Sequence, residues 1–401
     1  MIKKLIPLLI YGFGIVSLTG VDVVVTKFFG VQDISDWAEV RSLIGLASIL
    51  CLVGQEQVFM RSPQSSARIF KALSLQIPLL ATIVGWGIWA LGYVSSWIYG
   101  IFLVAGAAVA LAVSQYFRSH RLLIQSQIAQ QGWRVLALVA FGFMAITGVR
   151  VPVDPLVTGL VVGVAITLGL LTMRHAPSSL SRQDPEPSRA LYAIGVRFMA
   201  TSLFLASAIY AEQLLVNGVG TAEEGASYFA HATYFLFPAS AVNGYLGFVI
   251  GPWIRDHHDK AIALTEHKKW LIGAASVVYA LAANIIGWIA WKVVSPSVGS
   301  VDVVLQGLFF CTCVATTLYT FPSAYNGIFG QPRQHDFLIL AQVLSLIAAG
   351  GLFSVLYGFA NLPLTHAVAI ASSVNWIGRV GSGFWMVRII SSYRRSNHDF
   401  G

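Results

Sequence analysis

GVQDISDWA, Gly30–Ala38, and GVGTAEEGA, Gly218–Ala226, carry the reading of this chain. Each opens Gly-Val, has an acid at its seventh position (Asp36, Glu224) and ends in Ala. Each follows one apolar run and precedes another, and they stand nearly half of the 401-residue chain apart. Two like turns at like places predict two repeats of one helical unit, in the same orientation.

The composition sets the solvent. Mean hydropathy is +0.73, with 56% hydrophobic and 10% charged residues. A soluble chain carries roughly a quarter charged residues, so this one is read as a polytopic membrane protein. Only helices and closed barrels satisfy their backbone in lipid. The apolar runs are about 20 residues or longer, not the ~10-residue alternating segments of a barrel. The fold class is therefore all-α. The net charge of +8 does not imply nucleic acid, because a many-pass chain collects Lys and Arg in cytoplasmic loops.

Twelve helical spans are expected, near 5–29, 37–60, 69–92, 95–117, 122–148, 154–173, 190–216, 223–253, 269–293, 301–329, 336–359 and 363–389. The first is read as an uncleaved helix, too long for a signal-peptide core. The fifth opens with RLLIQSQIAQQG, which is amphipathic and suits the membrane interface. The loops sort by charge. One side holds Lys3, Lys4, Arg61, Arg68, Lys71, Arg118, Arg121, Arg174, Arg182, Arg189, Arg255, Lys260, Lys268, Lys269, Arg333, Arg388, Arg394 and Arg395. The other has Lys27, Arg150 and Lys292 at its margins. The asymmetry puts both termini in the cytoplasm. RHAPSSLSRQDPEPSR (Arg174–Arg189) reads as a polar linker. The expected organisation is a six-helix bundle at 1–174, a cytoplasmic linker at 175–189 and a second six-helix bundle at 190–401. The two quoted stretches become the outer turns between helices one and two and between helices seven and eight. Parallel repeats about an axis along the membrane normal are a transporter architecture.

Charges inside the bilayer cost several kcal/mol unless they face a cavity or a partner. Those read as lying within the bilayer are Asp22, Glu39, Arg41, Glu56, Arg134, Arg197, Glu212 and Arg379. Arg41, Arg134, Arg197 and Arg379 together suggest a cationic, water-filled cavity between the halves, since guanidinium holds phosphate by planar paired hydrogen bonds. Each arginine is also open to an interface or ion-pair role. Asp22 and Glu212 either pair structurally with Arg41 or neighbours, or exchange protons or Na⁺ to drive a cycle. Pro78, Pro238 and Pro322 lie inside spans and predict bends. Cys51, Cys311 and Cys313 are expected to be packing residues. No metal spacing, Walker motif, G-x-S-x-G or H-E-x-x-H is present, and no cofactor is expected.

VTKFFGVQDISDWAEVRSLIGLASILCLVGQEQVFMRSP (Val25–Pro63) resembles the first helix pair of the O-antigen-type polysaccharide flippases of the multidrug/oligosaccharidyl-lipid/polysaccharide exporter superfamily. The resemblance rests on Gly30, Trp37, Ala38, Gly54 and Arg61. Ala211–Asp256 looks like the matching pair of the second half, with Glu212 near the family's usual Asp, and YNGIFGQPRQHDF (Tyr325–Phe337) like its short inner turn. The resemblance implies two six-helix bundles and alternating access. It implies an undecaprenyl-pyrophosphate-linked oligosaccharide as substrate, in a bacterial inner membrane. A polymerase and a chain-length regulator of the same pathway would be partners, and the chain would not be an enzyme. The other readings are a multidrug or metabolite exporter of the same superfamily, and a membrane polysaccharide polymerase. The polymerase would need a large external loop that the sequence lacks.

Overall fold

The computed structural model describes residues 2–61, 65–175, 188–266 and 268–398. Among them every regular element is helical. The chain runs α1 (Ile2–Phe28), α2 (Val31–Leu52), α3 (Gln55–Arg61), α4 (Ser66–Ala90), α5 (Trp97–Ser119), α6 (Leu123–Thr147), α7 (Val153–His175) and α8 (Ser188–Ala206). A π-helical turn, Ser207–Ala211, leads into α9 (Glu212–Val219) and α10 (Ala222–Phe235). Then follow α11 (Phe237–Asp256), α12 (His258–Glu266), α13 (Lys269–Val294), α14 (Val303–Phe329), α15 (Pro332–Gly358) and α16 (Leu364–His398). Eight helices among the described residues are long and apolar enough to cross a membrane. The protein is an all-α, multi-pass membrane protein.

The two quoted stretches are less turn than expected. Gly30 is the N-cap of α2, and Val31–Ala38 form its first two turns. In the second stretch only Gly220 and Thr221 separate α9 from α10. Thr221 and Glu224 close a reciprocal cap there: the Thr221 N–H donates to Glu224 Oε2 at 2.9 Å, and the Glu224 N–H to Thr221 Oγ1 at 3.3 Å. The acids read as turn residues are thus helix-start residues.

Expected helix two is broken. Val53 (φ 50°) and Gly54 (φ 71°) are both left-handed, so α2 ends and α3 starts afresh. Gly54 faces the Gly195 carbonyl of α8 so closely that a Cβ would overlap it. Expected helix eight also breaks, at Leu236, with Pro238 in the first turn of α11. Proline is tolerated there because its missing N–H falls among the unpaired ones of a helix start. Pro78 and Pro322 instead sit within the unbroken helices α4 and α14.

The interfacial placement of RLLIQSQIAQQG is overturned. Leu123–Thr147 is one helix, and Ser126, Ala129, Gln131 and Trp133 are buried in the bundle. Ser126 takes a hydrogen bond from Ser114 of α5 to its carbonyl at 3.0 Å. Ser126 and Gln131 pack against neighbouring helices, while Gln125 stays exposed. Residues 254–268, read as a loop, contain α12, whose Ala261 and Ile262 join Ile254, Tyr325 and Met386 in a core. Nine residues are too few for a periodic signal to stand out. The inner turn at Tyr325–Phe337 contracts to Gly330 and Gln331, with α15 starting at Pro332.

By contact the chain forms two compact units, Met1–Ala226 and Ser227–Gly401. The expected bundles at 1–174 and 190–401 divide it by repeat, a different principle. Most of the 175–189 linker lies outside the described residues. Within the first unit α8, the π turn and α9 pack against α2, and α8 also against α3.

Candidate functional site

The first unit gathers charge where α1, α2 and α6 meet. Asp22 on α1 is 1% exposed, and its Oδ2 lies 3.2 Å from the Arg41 guanidinium on α2. Its Oδ1 accepts from the Trp37 indole at 2.8 Å. Trp37 stands one helical turn before Arg41, so one face of α2 supplies both partners. Arg134 on α6 lies within electrostatic reach of Asp22, Arg41, Tyr11 and Tyr210. It donates to Gln131 Oε1, one turn earlier, at 2.8 Å. Gln131 is wedged against Gly14 of α1, where any Cβ would overlap it. The cluster holds two guanidinium groups and one carboxylate. The structure thus unites Asp22, Arg41 and Arg134.

Next to it, nearer the start of α2, lies an amide knot. Asn217 Nδ2 donates to the Ser35 carbonyl at 3.0 Å, to Ser35 Oγ at 2.9 Å and to Glu39 Oε1 at 3.1 Å. Gln213 Nε2 donates to Asn217 Oδ1 at 2.6 Å and to the Gly225 carbonyl at 3.1 Å. Gly225 leaves room for Asn217 and the Ser35 hydroxyl. Ser35 belongs to the first quoted stretch and Gly225 to the second, so the two like segments touch. Glu212, half-buried, is the first residue of α9 after the π turn. Arg197 on α8 is exposed.

Arg379 belongs to the second unit. It lies on α16, and its side chain is 0% exposed, among the largest fully buried in the protein. Tyr319 of α14 hydrogen-bonds it. Its guanidinium carbon lies 5.6 Å from the Trp376 ring. Gln342 of α15 donates to Tyr319 Oη at 3.0 Å. Arg379 is therefore packed among aromatic and amide groups of its own unit.

Asp302, the N-cap of α14, ties three helices of this unit. Its Oδ1 accepts from the Val304 and Leu305 N–H groups at 2.9 and 3.0 Å. Its Oδ2 meets His366 Nε2 of α16 at 2.7 Å. Its own N–H donates to His231 Nε2 of α10 at 2.8 Å. His231 Nδ1 must then carry the proton it shares with the Ser227 carbonyl at 2.7 Å. Partial burial pushes the Asp302 carboxyl up, but the bonds from Leu305, His366 and Val304 outweigh it and hold the group below its ordinary value.

Sequence reasoning missed Gln131, Asn217, Tyr319 and the Asp302–His231–His366 link. The i, i+3 spacing of Gln131 and Arg134 was the available signal for the first. Cys51 and Cys313 are buried and Cys311 is exposed, all as free thiols.

No protein-family model and no curated protein matches the sequence. Solved structures do. An outward-facing multidrug resistance MATE family transporter of the MOP superfamily aligns with TM-score 0.57 at 14% identity, over 96% of this chain and 94% of that one. The fold is MATE-like. An inward-facing MATE transporter of the same description aligns with TM-score 0.51 at 13% identity, over 95% and 96% of the chains. The eukaryotic MATE transporter AtDTX14 aligns with TM-score 0.50 at 12% identity, over 96% and 99%. At such identity the likeness concerns the MATE-like fold itself, end to end, in both chains.

Proposed function

We propose that this chain translocates an undecaprenyl-pyrophosphate-linked oligosaccharide across a bacterial inner membrane by alternating access, supplying surface-polysaccharide assembly. The observation that carries the reading is the presence of largely enclosed guanidinium groups within the helical units. Arg41 and Arg134 share one carboxylate, and Arg379 is buried among Tyr319, Trp376 and Gln342. Guanidinium groups gathered inside a membrane protein favour an anionic ligand, and their planar geometry suits a diphosphate or a sugar acid. A MATE-like fold supports the transport half of the reading.

In this scheme Arg41 and Arg134 of the first unit attract the diphosphate, and Arg197 and Arg379 are further candidate cationic residues, each within its own unit. Asp22 holds Arg41 in place and, with Glu212, is the candidate for exchanging a proton or Na⁺ that drives the cycle. The polymerase and chain-length regulator of the pathway would take up the delivered units. Twelve crossings with both termini cytoplasmic belong to the same proposal.

The test is a deletion strain with the remaining pathway intact. Complete lipid-linked units should accumulate on the cytoplasmic face and return to the outer face with the wild-type gene. Arg379→Ala and Arg134→Ala should fail to restore them at equal protein abundance, with Lys restoring part. Units reaching the outer face in the deletion strain would refute the reading.

The second reading is a multidrug exporter, favoured by the likeness to multidrug resistance MATE family transporters and by the buried carboxylate of Asp22. Drug-susceptibility profiling of the deletion strain separates the two.

A further inference from the structure

On the surface of the first unit, α1, α6 and α7 enclose a groove of about 420 Å³. Its walls include Phe13 from α1, Leu136 from α6, and Gly163, Val164 and Thr167 from α7. Phe13 and Leu136 are 58% and 45% exposed, so the groove opens outward with apolar sides. The polar residue of its α6 wall is Gln131.

Gln131 makes this groove more than a lipid-facing crease. It is 1% exposed, and its Oε1 is committed to the Arg134 guanidinium at 2.8 Å. Its Nε2, a donor, has no hydrogen-bond partner among the described residues, and neither does Arg134 Nε. An unpaired buried donor costs about 1–3 kcal/mol, and more for a charged group. Behind the amide stands the cluster with two guanidinium groups and one carboxylate. An apolar channel thus has one unsatisfied amide donor in its wall, with the guanidinium of Arg134 hydrogen-bonded to that same amide. A molecule that satisfies both has a long hydrocarbon chain and an anionic, oxygen-rich head.

We infer that the groove seats the isoprenoid chain of the lipid-linked substrate, with the diphosphate oxygens drawn toward Gln131 and Arg134. This rests on the flippase reading and adds where the chain lies while the head is handled. The chain stays in hydrocarbon surroundings, and the head meets guanidinium without crossing bare lipid.

Glycine supplies the probe. Gly163 lines the groove, and a Cβ there meets nothing within 4 Å. Gly163→Phe should fill the groove without disturbing the backbone. Gly159, one turn earlier on α7, is equally open and does not line it, so Gly159→Phe is the matched control.

The experiment uses the full-length protein in lipid nanodiscs. The probe is a long-chain polyprenyl diphosphate bearing a photoreactive group within its isoprenoid chain. Cross-links should map to Ile128–Leu136 and Gly163–Leu168, and be suppressed by unlabelled polyprenyl diphosphate but not by the same amount of phospholipid. Gly163→Phe should cut labelling about tenfold, the effect of losing about two buried methylenes, while Gly159→Phe keeps it. Equal competition by phospholipid would make the groove an ordinary lipid site and overturn the inference. So would labelling elsewhere, or labelling that Gly163→Phe leaves unchanged. A parallel flipping assay separates the two claims. Wild-type flipping without groove labelling refutes the groove alone, and absent wild-type flipping refutes the flippase reading.

Discussion

Replacing Asp22 by Asn tests whether the α1–α2–α6 cluster is held by charge. The substitution keeps an oxygen to accept the Trp37 indole bond, seen at 2.8 Å, but removes the charge opposite Arg41 at 3.2 Å. Both partners are buried, with side chains 1% and 10% exposed, so solvent screens little. Removing one member of a buried pair costs about 3–5 kcal/mol, because its partner is left charged in a poor solvent. Arg134 adds to the penalty, since it also acts on Asp22. For a unit of this size that corresponds to a fall in Tm of about 10 °C. The assay is thermal unfolding of the purified protein in one detergent, for Asp22→Asn, Arg41→Met and the double variant. The double should be milder than the sum of the singles by about 2 kcal/mol, the coupling expected of contacting residues. Additive losses would refute the ion-pair argument. Near-wild-type stability of Asp22→Asn together with lost transport would assign Asp22 to coupling instead.

Asn217→Ala should cost about 2–3 kcal/mol, since three bonds to Ser35 and Glu39 are lost together; thermal unfolding reads it, and a loss under 0.5 kcal/mol would refute the knot. Gly54→Ala should abolish a monodisperse folded peak in size-exclusion chromatography, because the methyl meets the Gly195 carbonyl, while Gly169→Ala, with open space, should elute as wild type. The Asp302 cap contributes stability in a definite pH window. Its folded pKa is depressed, so the contribution is complete above the ordinary carboxylate value and is lost as pH falls through the folded one. Asp302→Ala should therefore lower stability by about 1 kcal/mol at pH 7, with the gap to wild type closing as the solution is taken below about pH 4. A gap that stays constant would refute that role.

The class of the fold was legible because lipid imposes it: long apolar runs leave helices as the economical solution, and α4, α5, α13 and α15 fall almost where the runs do. The Asp22–Arg41 pairing was legible as one of several options, because a carboxylate and a guanidinium in adjoining spans have few other ways to be stable. The breaks were not. Val53 is β-branched and gives no hint of a left-handed backbone; the close approach of Gly54 to Gly195, between distant segments, imposes it. The π turn before Glu212 likewise has no local signature, since Ser207–Ala211 reads as ordinary helix. Gln131 and Asn217 look like plain polar residues until the helices beside them are in place. Amphipathic spacing misled for the start of α6, which continues as one helix and where Ser126 meets Ser114 of the bundle.

The touching of the two like segments has a consequence for biosynthesis. Ser35 and Asn217 are separated by 182 positions. At roughly 5–20 residues per second, α2 waits about 10–35 s in the membrane before the amide that covers Ser35 and Glu39 is made. During that wait a polar edge faces lipid, translocon or chaperone. A chain stopped after His175 keeps α1 to α7 but never receives that amide. It is expected to be retained and degraded, whereas a chain stopped just after Ala226 carries the whole contact and should survive longer in a pulse–chase experiment.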